Sequence, residues 1–506
     1  MTVFPSALPV FSPPGRSRVL RRAPAIHHAL LLILCLLAPA CAAGPNRYHL
    51  VEQSLLVGNP LQADAVLQRA EEDYGSKSLV LYGMDRGVVL QLAGRYEDSN
   101  ALLSQAEDEV ERLYTRTIRN EALSFLLNDN ELPFEGDPHE QVMINVVKAV
   151  NYALEQDWSG ALVEARRIDH RLNVIADRET GKNAYRDDGF ARYVTGMLYE
   201  IGGDLNNAFV AYRRAYDAYQ ANRSWSRTEV PPSLRSDLLR AADGLHLTAE
   251  LEEYQRQLPG TTWQPMSGLG HLAQVVLISY NGRAPFRVDQ FLDIPLGLDA
   301  ARLVLLARGY GGGSQRTRAA DSLLYGLSGR IVRVAIPRLI PQRSQVTSAL
   351  LSLTGESGSY TGNTHMVHDL TALAEKSLSE QLPGITVRAA ARAAMKYGLA
   401  EGIEQGVRSA TRQRNRNGER DDLEWVAFVV GSLLKTMAVA TEEADKRCWQ
   451  TLPAQIQVAR LWVPAGEYDL RIRSLAQQGV LAKPETATRV TLRAGDTRFF
   501  VERVLQ

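Results

Sequence analysis

Short phrases that recur between residues 50 and 220 constrain this chain more than any other feature of its sequence. They are LVGNPLQADAVLQRA, LAGRYEDSNALLSQA, EQDWSGALVEA and IGGDLNNAFVAYRRA. Each has a turn residue, then a bulky residue and usually a small one three positions later, which places both on one helical face. The pairs are Tyr96 and Ser99, Trp158 and Ala161, Leu205 and Ala208, and a weaker pair, Leu61 and Asp64. The phrases predict helical hairpins.

The spacing of apolar residues also favours helices. One helical face carries Phe190, Val194, Met197, Leu198 and Ile201. The first two phrases lie 35 residues apart, from Leu61 to Tyr96, close to the roughly 34-residue period of tetratricopeptide repeats. The following spacings of 62 and 47 residues leave room for inserts. The pattern resembles the tetratricopeptide repeat, and we expect residues 41–258 to form such a helical repeat domain.

Stacked hairpins leave a long concave surface that usually binds peptides or protein segments. We predict that Tyr96, Trp158 and Tyr212 lie on this surface and hold a partner peptide. An alternative stays open at this point, because the same helices could simply pack against the later part of the chain.

The N-terminus has the pattern of a secretory signal. Its first 41 residues contain no acidic residue and four arginines, followed by the short apolar stretch 29–37 and by Ala-Pro-Ala before Cys41. The stretch is too short to span a bilayer, which needs about 20 apolar residues. We expect residues 1–40 to be removed and Cys41 to be acylated as in a bacterial lipoprotein. Ordinary cleavage at the same place, which leaves a soluble protein, is the alternative.

The residues from Cys41 onward indicate where in the cell the mature protein would be located. Ala42 follows Cys41, and by resemblance to Gram-negative lipoproteins this implies the outer membrane, with the protein facing the periplasm. Cys448 would be the only other cysteine, so an internal disulfide is excluded. Lys and Arg number 57 and Asp and Glu number 57. This balance argues against a nucleic-acid partner.

The second half changes from helical to strand patterns and back. QVVLISYNGRAPFRV predicts a β-hairpin with its turn at Asn281-Gly282, and GRIVRVAIPRLIP predicts another strand, so residues 265–345 should form a small α+β region. Residues 360–450 read as helical. Alternating strands predict a small antiparallel β-sandwich at 454–506, where VPAGEYDLRI and VTLRAGDTRFFV resemble PEGA-like modules. The predicted fold class is mainly α, with only this small sandwich at the C-terminus.

One helical stretch raises the possibility of a membrane role. Small residues recur every four positions at Ala390, Ala394, Gly398, Gly402 and Gly406, and the apolar run WVAFVVGSLLKTMAVA follows at 425–440. Such spacing allows close helix contact in membranes. Charged residues interrupt both stretches, so we expect a soluble hairpin and keep a membrane-associating or pore-related role of residues 385–440 as an alternative.

The residues that could carry chemistry form no catalytic pattern. His365 and His368 lack the spacing and third ligand of a zinc site. There is no nucleophile motif and no phosphate-binding loop. We therefore predict a non-enzymatic protein with no cofactor, no metal and no catalytic residue. A hydrolase with its site near Glu135, His139 and the middle region is a second alternative.

Four long stretches together resemble an uncharacterised family of bacterial envelope lipoproteins with tetratricopeptide-like helices. They are PFEGDPHEQVMINVVKAVNYALEQDWSGALVEARRID, VVLISYNGRAPFRV, PGITVRAAARAAMKY and EADKRCWQTLPAQIQVARLWVPAGEYDLRI. The resemblance implies an envelope location and no particular substrate. Its analogy with helical lipoproteins that act as adaptors predicts a protein–protein interaction scaffold with an envelope protein or peptide as partner.

Overall fold

The computed structural model describes residues 44–124, 129–178, 187–296, 330–415 and 443–505. The chain divides into two compact units, Met1–Asn46 and Arg47–Gln506. Cys41 and the predicted signal segment lie outside the described residues. Everything that follows concerns the second unit.

Helices make up the described chain from its start to Gln257. They are α1 (Gly44–Leu56), α2 (Pro60–Arg69), α3 (Glu71–Tyr74), α4 (Leu79–Leu92), α5 (Tyr96–Ser124), α6 (Pro138–Glu155), α7 (Trp158–Arg178), α8 (Gly189–Ile201), α9 (Leu205–Ser226), α10 (Pro232–Gly244) and α11 (Thr248–Gln257). From α4 onward each helix packs against the next along the chain. We call these helices the helical layer.

Small residues set the helix spacing, as the recurring phrases require. Ser99, Ala161 and Ala208 are all buried. The Ser99 hydroxyl on α5 donates to the Gly87 carbonyl oxygen on α4 at 2.6 Å, which holds the two helices close. The missing side chain of Gly87 is also necessary, because a Cβ there would lie 2.5 Å from Leu103 on α5.

The second half of the described chain contributes ten strands and one long helix. These are β1 (Leu272–Asn281), β2 (Phe286–Leu296), β3 (Arg330–Ile340), β4 (Val346–Gly355), β5 (Gly358–Asn363), β6 (His365–Asp369), α12 (Leu370–Asn415), β7 (Gln455–Pro464), β8 (Gly466–Ala476), β9 (Thr486–Leu492) and β10 (Thr497–Val504). The central sheet has the order β10-β1-β7-β6, and the outer sheet has the order β5-β4-β8-β9. The ribbon β2-β3 packs on α12.

Strand β1 lies at the centre of the molecule. It runs antiparallel to β7 and parallel to β10, so that Ile278 faces Val458 on one side and Val501 on the other. Alternate side chains point to opposite faces of a strand. Accordingly, Val276 and Ile278 join the core shared with the helical layer, whereas the neighbouring residues Ala273, Val275 and Leu277 join the core between the two sheets. The architecture is thus three layers: helices, central sheet and outer sheet.

The predicted fold class, mainly α with a small C-terminal sandwich, is wrong. About 53 % of the structure is helical and 24 % is strand, and the described residues form three sheets. Strands after Gln455 do not pair only among themselves: β7 and β10 flank β1, while β8 pairs with β4. A period of two reveals a strand and its faces, but not which distant strand lies beside it. Here Gln274 of β1 pairs with Thr497, 223 residues later.

The hairpin predicted at Asn281-Gly282 is also wrong. Gly282 has a φ of +72°, as a tight turn requires. Nevertheless, β1 enters the central sheet, whereas β2 pairs with β3 and with no other strand that the structure describes. The turn changes the direction of the chain between two sheets instead of joining two paired strands.

A buried charge cluster joins the helical layer to the central sheet. Its members are Glu200 on α8, Asp237 and Arg240 on α10 and Arg460 on β7, with side-chain exposures of 3 to 5 %. Arg460 contacts both carboxylates, and Arg240 does the same. Two guanidinium groups therefore balance two carboxylates. We call this group the sealed cluster.

Candidate functional site

The inner face of the helical layer is occupied by the chain's own C-terminal half. The backbone N–H of Trp449 donates to Glu140 at 2.7 Å, and both the N–H and the hydroxyl of Thr451 donate to Asp85, at 3.3 and 3.1 Å. Trp449 is 1 % exposed and lies in the core shared with the helices. Together with Arg460 of the sealed cluster, this segment lies where a peptide ligand was predicted.

The three aromatic residues predicted to hold a partner do not form one exposed surface. Tyr212 is 0 % exposed, its ring fills the space beside Gly196, and its hydroxyl donates to Glu200 at 2.6 Å. Trp158 is half-buried against Phe499 of the central sheet, with ring centroids 6.2 Å apart. Tyr96 is half-buried at the start of α5. The alternative interpretation, that these helices pack against the later part of the chain, agrees with the contacts on their inner face.

A large open cleft lies at the edge of the helical layer. Its volume is about 590 Å³. The walls come from residues 129–137, from the ribbon β2-β3, from α12 and from residues 443–447. We call it the arginine cleft and define it by the lining residues Leu113, Asp129, Leu132, Pro133, Phe134, Glu135, Gly136, Asp137, Arg287, Ala335, Pro337, Gln381, Ile385, Arg388, Arg392, Glu443, Ala444, Asp445 and Arg447.

One corner of the cleft has two guanidinium groups for a single carboxylate. Arg392 donates from Nη1 to Asp129 at 3.1 Å, and Arg388 Nε lies 3.7 Å from the same carboxylate oxygen. Arg388 is 40 % exposed and makes no hydrogen bond to a residue in the described ranges. Buried Arg392 Nε likewise has no acceptor among the described residues. This corner therefore has two guanidinium groups beside one carboxylate and an accessible donor group, Arg388. The lining of the whole cleft has five carboxylates and four guanidinium groups.

The floor of the cleft is an internal ion pair. Arg287 on β2 donates to Asp137 at 2.5 Å, and both side chains are almost fully buried. Burial has the largest single effect and would raise the pKa of Asp137. The charges of Arg287 and His139, together with hydrogen bonds from Gln381 and Arg287, outweigh it and lower that pKa below its ordinary value. Asp137 is thus held as a carboxylate that neutralises Arg287.

A third arginine shapes the wall. Arg447 donates to the carbonyl oxygens of Lys77, Asp129 and Leu132 and makes two further bonds to Asp445. Its guanidinium also lies 5.4 Å from the centre of the Phe134 ring. Because these donors are satisfied within the chain, Arg447 fixes the loop 129–134 against residues 445–447 and is not available to a ligand.

Behind the floor lies a small cavity lined by His139, Glu140 and Cys448. Burial lowers the pKa of His139 to about 4, and burial together with the Asp137 charge raises the pKa of Glu140 to about 7. Burial raises the pKa of the Cys448 thiol to about 12, so the thiol is protonated and a poor nucleophile.

The carboxylate of Glu140 has a structural role at the start of α6. Its Oε2 accepts the Asp137 N–H at 2.7 Å, completing a capping box, and its Oε1 accepts the Trp449 N–H. The two residues predicted for a hydrolase site lie in neighbouring places: Glu135 lines the cleft, and His139 lies behind the floor of the cleft. Their neighbouring carboxylates Asp137 and Glu140, however, are engaged in bonds that hold the fold.

Across the described ranges, no group of three or more His, Cys, Asp or Glu side chains is arranged to hold a metal ion. His365 and His368 lie on β6 and not on a helix, and His368 Nε2 is 3.5 Å from Asp188. Within the same part of the chain, no helix is long and apolar enough to cross a membrane. The apolar run 425–440 of the predicted membrane hairpin lies outside the described residues.

Neither a scan against protein-family models nor a search of curated proteins finds a match for this chain. The likeness to envelope lipoproteins and to PEGA-like modules therefore stays a prediction.

Sequence reasoning missed Arg388 and Arg392 as site residues. The available signal was their spacing of four positions in TVRAAARA, which places two guanidinium groups on one helical face. Their common partner Asp129 comes from a loop more than two hundred residues earlier, since the bond from Arg392 spans 263 positions. No local pattern could have indicated that contact.

Proposed function

We propose that this chain is a cell-envelope lipoprotein that acts as an adaptor and holds a segment of a partner protein in the arginine cleft. The observation that carries the proposal is the cleft itself: a volume of about 590 Å³ with apolar side chains and an accessible arginine. Binding clefts of this size, mostly apolar with a few oriented polar groups, are the usual places for ligands.

The accessible guanidinium of Arg388 in one corner of the cleft favours a protein segment with an acidic side chain there. Apolar wall residues such as Leu132, Pro133 and Ile385 can bury apolar side chains of the partner. The guanidinium of Arg388 can bind a carboxylate in the planar, two-bond geometry that arginine prefers. An adaptor role needs no reaction, and it agrees with the satisfied, structural bonds of Asp137 and Glu140.

This proposal moves the partner surface from the concave helical face to the cleft. The segment around Trp449 and Thr451 packs on the helices that were predicted to form that face. The envelope location rests on the lipobox-like residues that end at Cys41. Acylation of that thiol by several chains would anchor the protein firmly, because each buried methylene adds to membrane affinity.

The test is photocrosslinking from the rim of the cleft in living cells. A photoreactive amino acid replaces Glu443, whose side chain is 58 % exposed, and a control chain carries it in place of Val480, which is 62 % exposed and outside the cleft. We expect a discrete crosslinked protein from position 443 and none of that mass from position 480. Equal crosslinking patterns from the two positions would contradict the proposal.

A charge reversal then tests the chemistry. Arg388→Glu in the crosslinking background should remove the product, because it places a carboxylate against the partner's carboxylate. The matched control is Arg223→Glu, at a 71 % exposed arginine that does not line the cleft. Retention of the product in Arg388→Glu would exclude an acidic segment as the ligand. Intact mass of the exported chain tests acylation of Cys41 separately.

A further inference from the structure

One turn near the start of the described chain exposes several apolar side chains. Leu56 is 52 % exposed, Val57 is 77 % exposed and Leu61 is 57 % exposed. Leu56 ends α1, Val57 lies in the connection and Leu61 lies in the first turn of α2. The sequence from Gln53 to Gln62, QSLLVGNPLQ, has no ionisable side chain. We call residues 56–61 the apolar turn. Three exposed apolar residues this close together differ from the scattered single ones that are normal on a protein surface.

Three backbone N–H groups of the apolar turn already have acceptors within the chain. The N–H groups of Val57, Gly58 and Asn59 donate to the carbonyl oxygens of Gln53, Leu55 and Ser54. Pro60 has no N–H, and the Asn59 side chain accepts the N–H of Gln62 at 3.1 Å. An unsatisfied backbone N–H is what makes an irregular segment costly to place in lipid. That cost is largely absent here, so the apolar side chains can leave water with little penalty from the main chain.

Chain length keeps this turn near the predicted anchor. From Arg47 to Leu56 the chain is helical, which spans about 14 Å at 1.5 Å per residue. The six residue steps from Cys41 to Arg47 add at most about 21 Å even when fully extended. A bilayer that holds Cys41 would therefore lie within about 35 Å of Leu56, and apart from α1 no described segment is closer to Cys41 in sequence.

We propose that the apolar turn inserts into the interfacial layer of the bilayer beside the lipid anchor. This inference rests on the proposed envelope lipoprotein for its location. The turn would act as a second, weak contact that fixes the orientation of the protein on the membrane. Binding of this kind scales with the apolar area that leaves water.

The test uses a fluorescent probe at the tip of the turn. The exported, lipidated full chain carries Val57→Cys labelled with the environment-sensitive dye NBD, and it is placed on vesicles of phosphatidylethanolamine and phosphatidylglycerol. Cys448 is buried and does not compete for the label. We expect the emission at position 57 to shift to the blue and to rise roughly twofold, as for a side chain that leaves water. The control is NBD at Val480→Cys, which should not change. An unchanged emission from position 57 on bound vesicles would overturn the proposal.

A second variant tests whether the apolar side chains cause the response. Leu56→Gln with Leu61→Gln in the labelled chain should remove the blue shift, and, in the unlipidated Cys41→Ser form, should weaken partition into the same vesicles by roughly tenfold. Both positions are exposed, so we expect an unchanged circular dichroism spectrum. A blue shift that persists in the double variant contradicts the proposal.

The two proposals fail in distinguishable ways. An unacylated Cys41, seen by intact mass, would remove the proposed anchor, and the turn would then be judged by vesicle binding of the Cys41→Ser chain alone. A response at position 57 to envelope proteins in detergent, but not to vesicles, would assign the turn to a protein partner and overturn the lipid contact.

Discussion

The sealed cluster and the corner of the arginine cleft are built from the same two kinds of side chain and have different consequences. In the sealed cluster, Arg240 and Arg460 meet Glu200 and Asp237, all at most 5 % exposed. In the cleft, Arg388 and Arg392 share one carboxylate. Balanced charge and full burial make the first cluster a junction between layers. An unbalanced, partly exposed set leaves a donor for a ligand. The ratio of guanidinium groups to carboxylates and the degree of burial, and not the residue types, distinguish a structural cluster from a candidate binding site.

The largest effect should follow from breaking the sealed cluster. Arg460→Met leaves two buried carboxylates with one guanidinium, and loss of one partner from a buried pair costs about 3–5 kcal/mol. We expect a clearly lower midpoint in urea unfolding followed by circular dichroism. If the Arg460→Met chain were as stable as the wild type, the sealed cluster would not stabilise the contact between the helical layer and the central sheet.

Acid should act on the same junction. The charges of Arg460 and Arg240 outweigh burial and lower the pKa of Glu200 to about 2. A carboxylate whose folded-state pKa is depressed contributes stability above its unfolded pKa of about 4.5, and this contribution is lost as pH falls towards 2. The free energy of unfolding should therefore drop more steeply below pH 4.5 in the wild type than in Glu200→Gln. Parallel curves for the two chains would show that Glu200 does not titrate in this way.

A smaller effect is expected where the chain fills its own helical layer. Thr451→Val keeps the shape but removes the hydroxyl that donates to buried Asp85, at a cost of about 1–2 kcal/mol. Its matched control is Thr354→Val, an exposed threonine on β4, which should lie within about 0.5 kcal/mol of the wild type. Thermal or urea unfolding measures both. If the two variants were equally stable, the bond from Thr451 to Asp85 would not hold the segment around Trp449 on the helical layer.

The smallest effect on stability belongs to the cleft. Arg388→Met removes a half-exposed guanidinium whose ion pair is long, so the change in unfolding free energy should stay within about 0.5 kcal/mol. The same variant should lose most of the crosslinking from position 443. A destabilisation comparable to that of Arg460→Met would mean that Arg388 is structural, and the contrast between the two clusters would disappear.

Local patterns in the sequence were informative about elements. The period of apolar residues from Phe190 to Ile201 matches α8. The GDPHE stretch contains the capping box that starts α6, a local signal that the sequence analysis did not use. The alternation in residues 466–476 appears as β8, with Leu470 and Ile472 buried. These features depend only on neighbours within one or two turns, so a single sequence contains them.

The arrangement of those elements was beyond local patterns. Nothing near β1 specifies that β10 lies beside it, and nothing near Asp129 specifies Arg392. Tyr212 is an aromatic residue of a kind that often binds peptides, yet it is buried beside Gly196 of α8, and its hydroxyl bonds Glu200 and Arg460. An aromatic residue in a repeat can be exposed or buried, and its identity alone does not show which. The sequence therefore could not distinguish a binding residue from a core residue at this position.

Arginine labelling tests the contrast between the two clusters most directly. The native protein is treated with a dicarbonyl reagent such as phenylglyoxal, and modified arginines are located by peptide mass spectrometry. Arg388 should react readily, whereas Arg240 and Arg460 should react only after unfolding, in accordance with exposures of 40 % and 3 %. Modification of Arg460 at the rate of Arg388, or an unreactive Arg388, would contradict the division into a sealed junction and an open site.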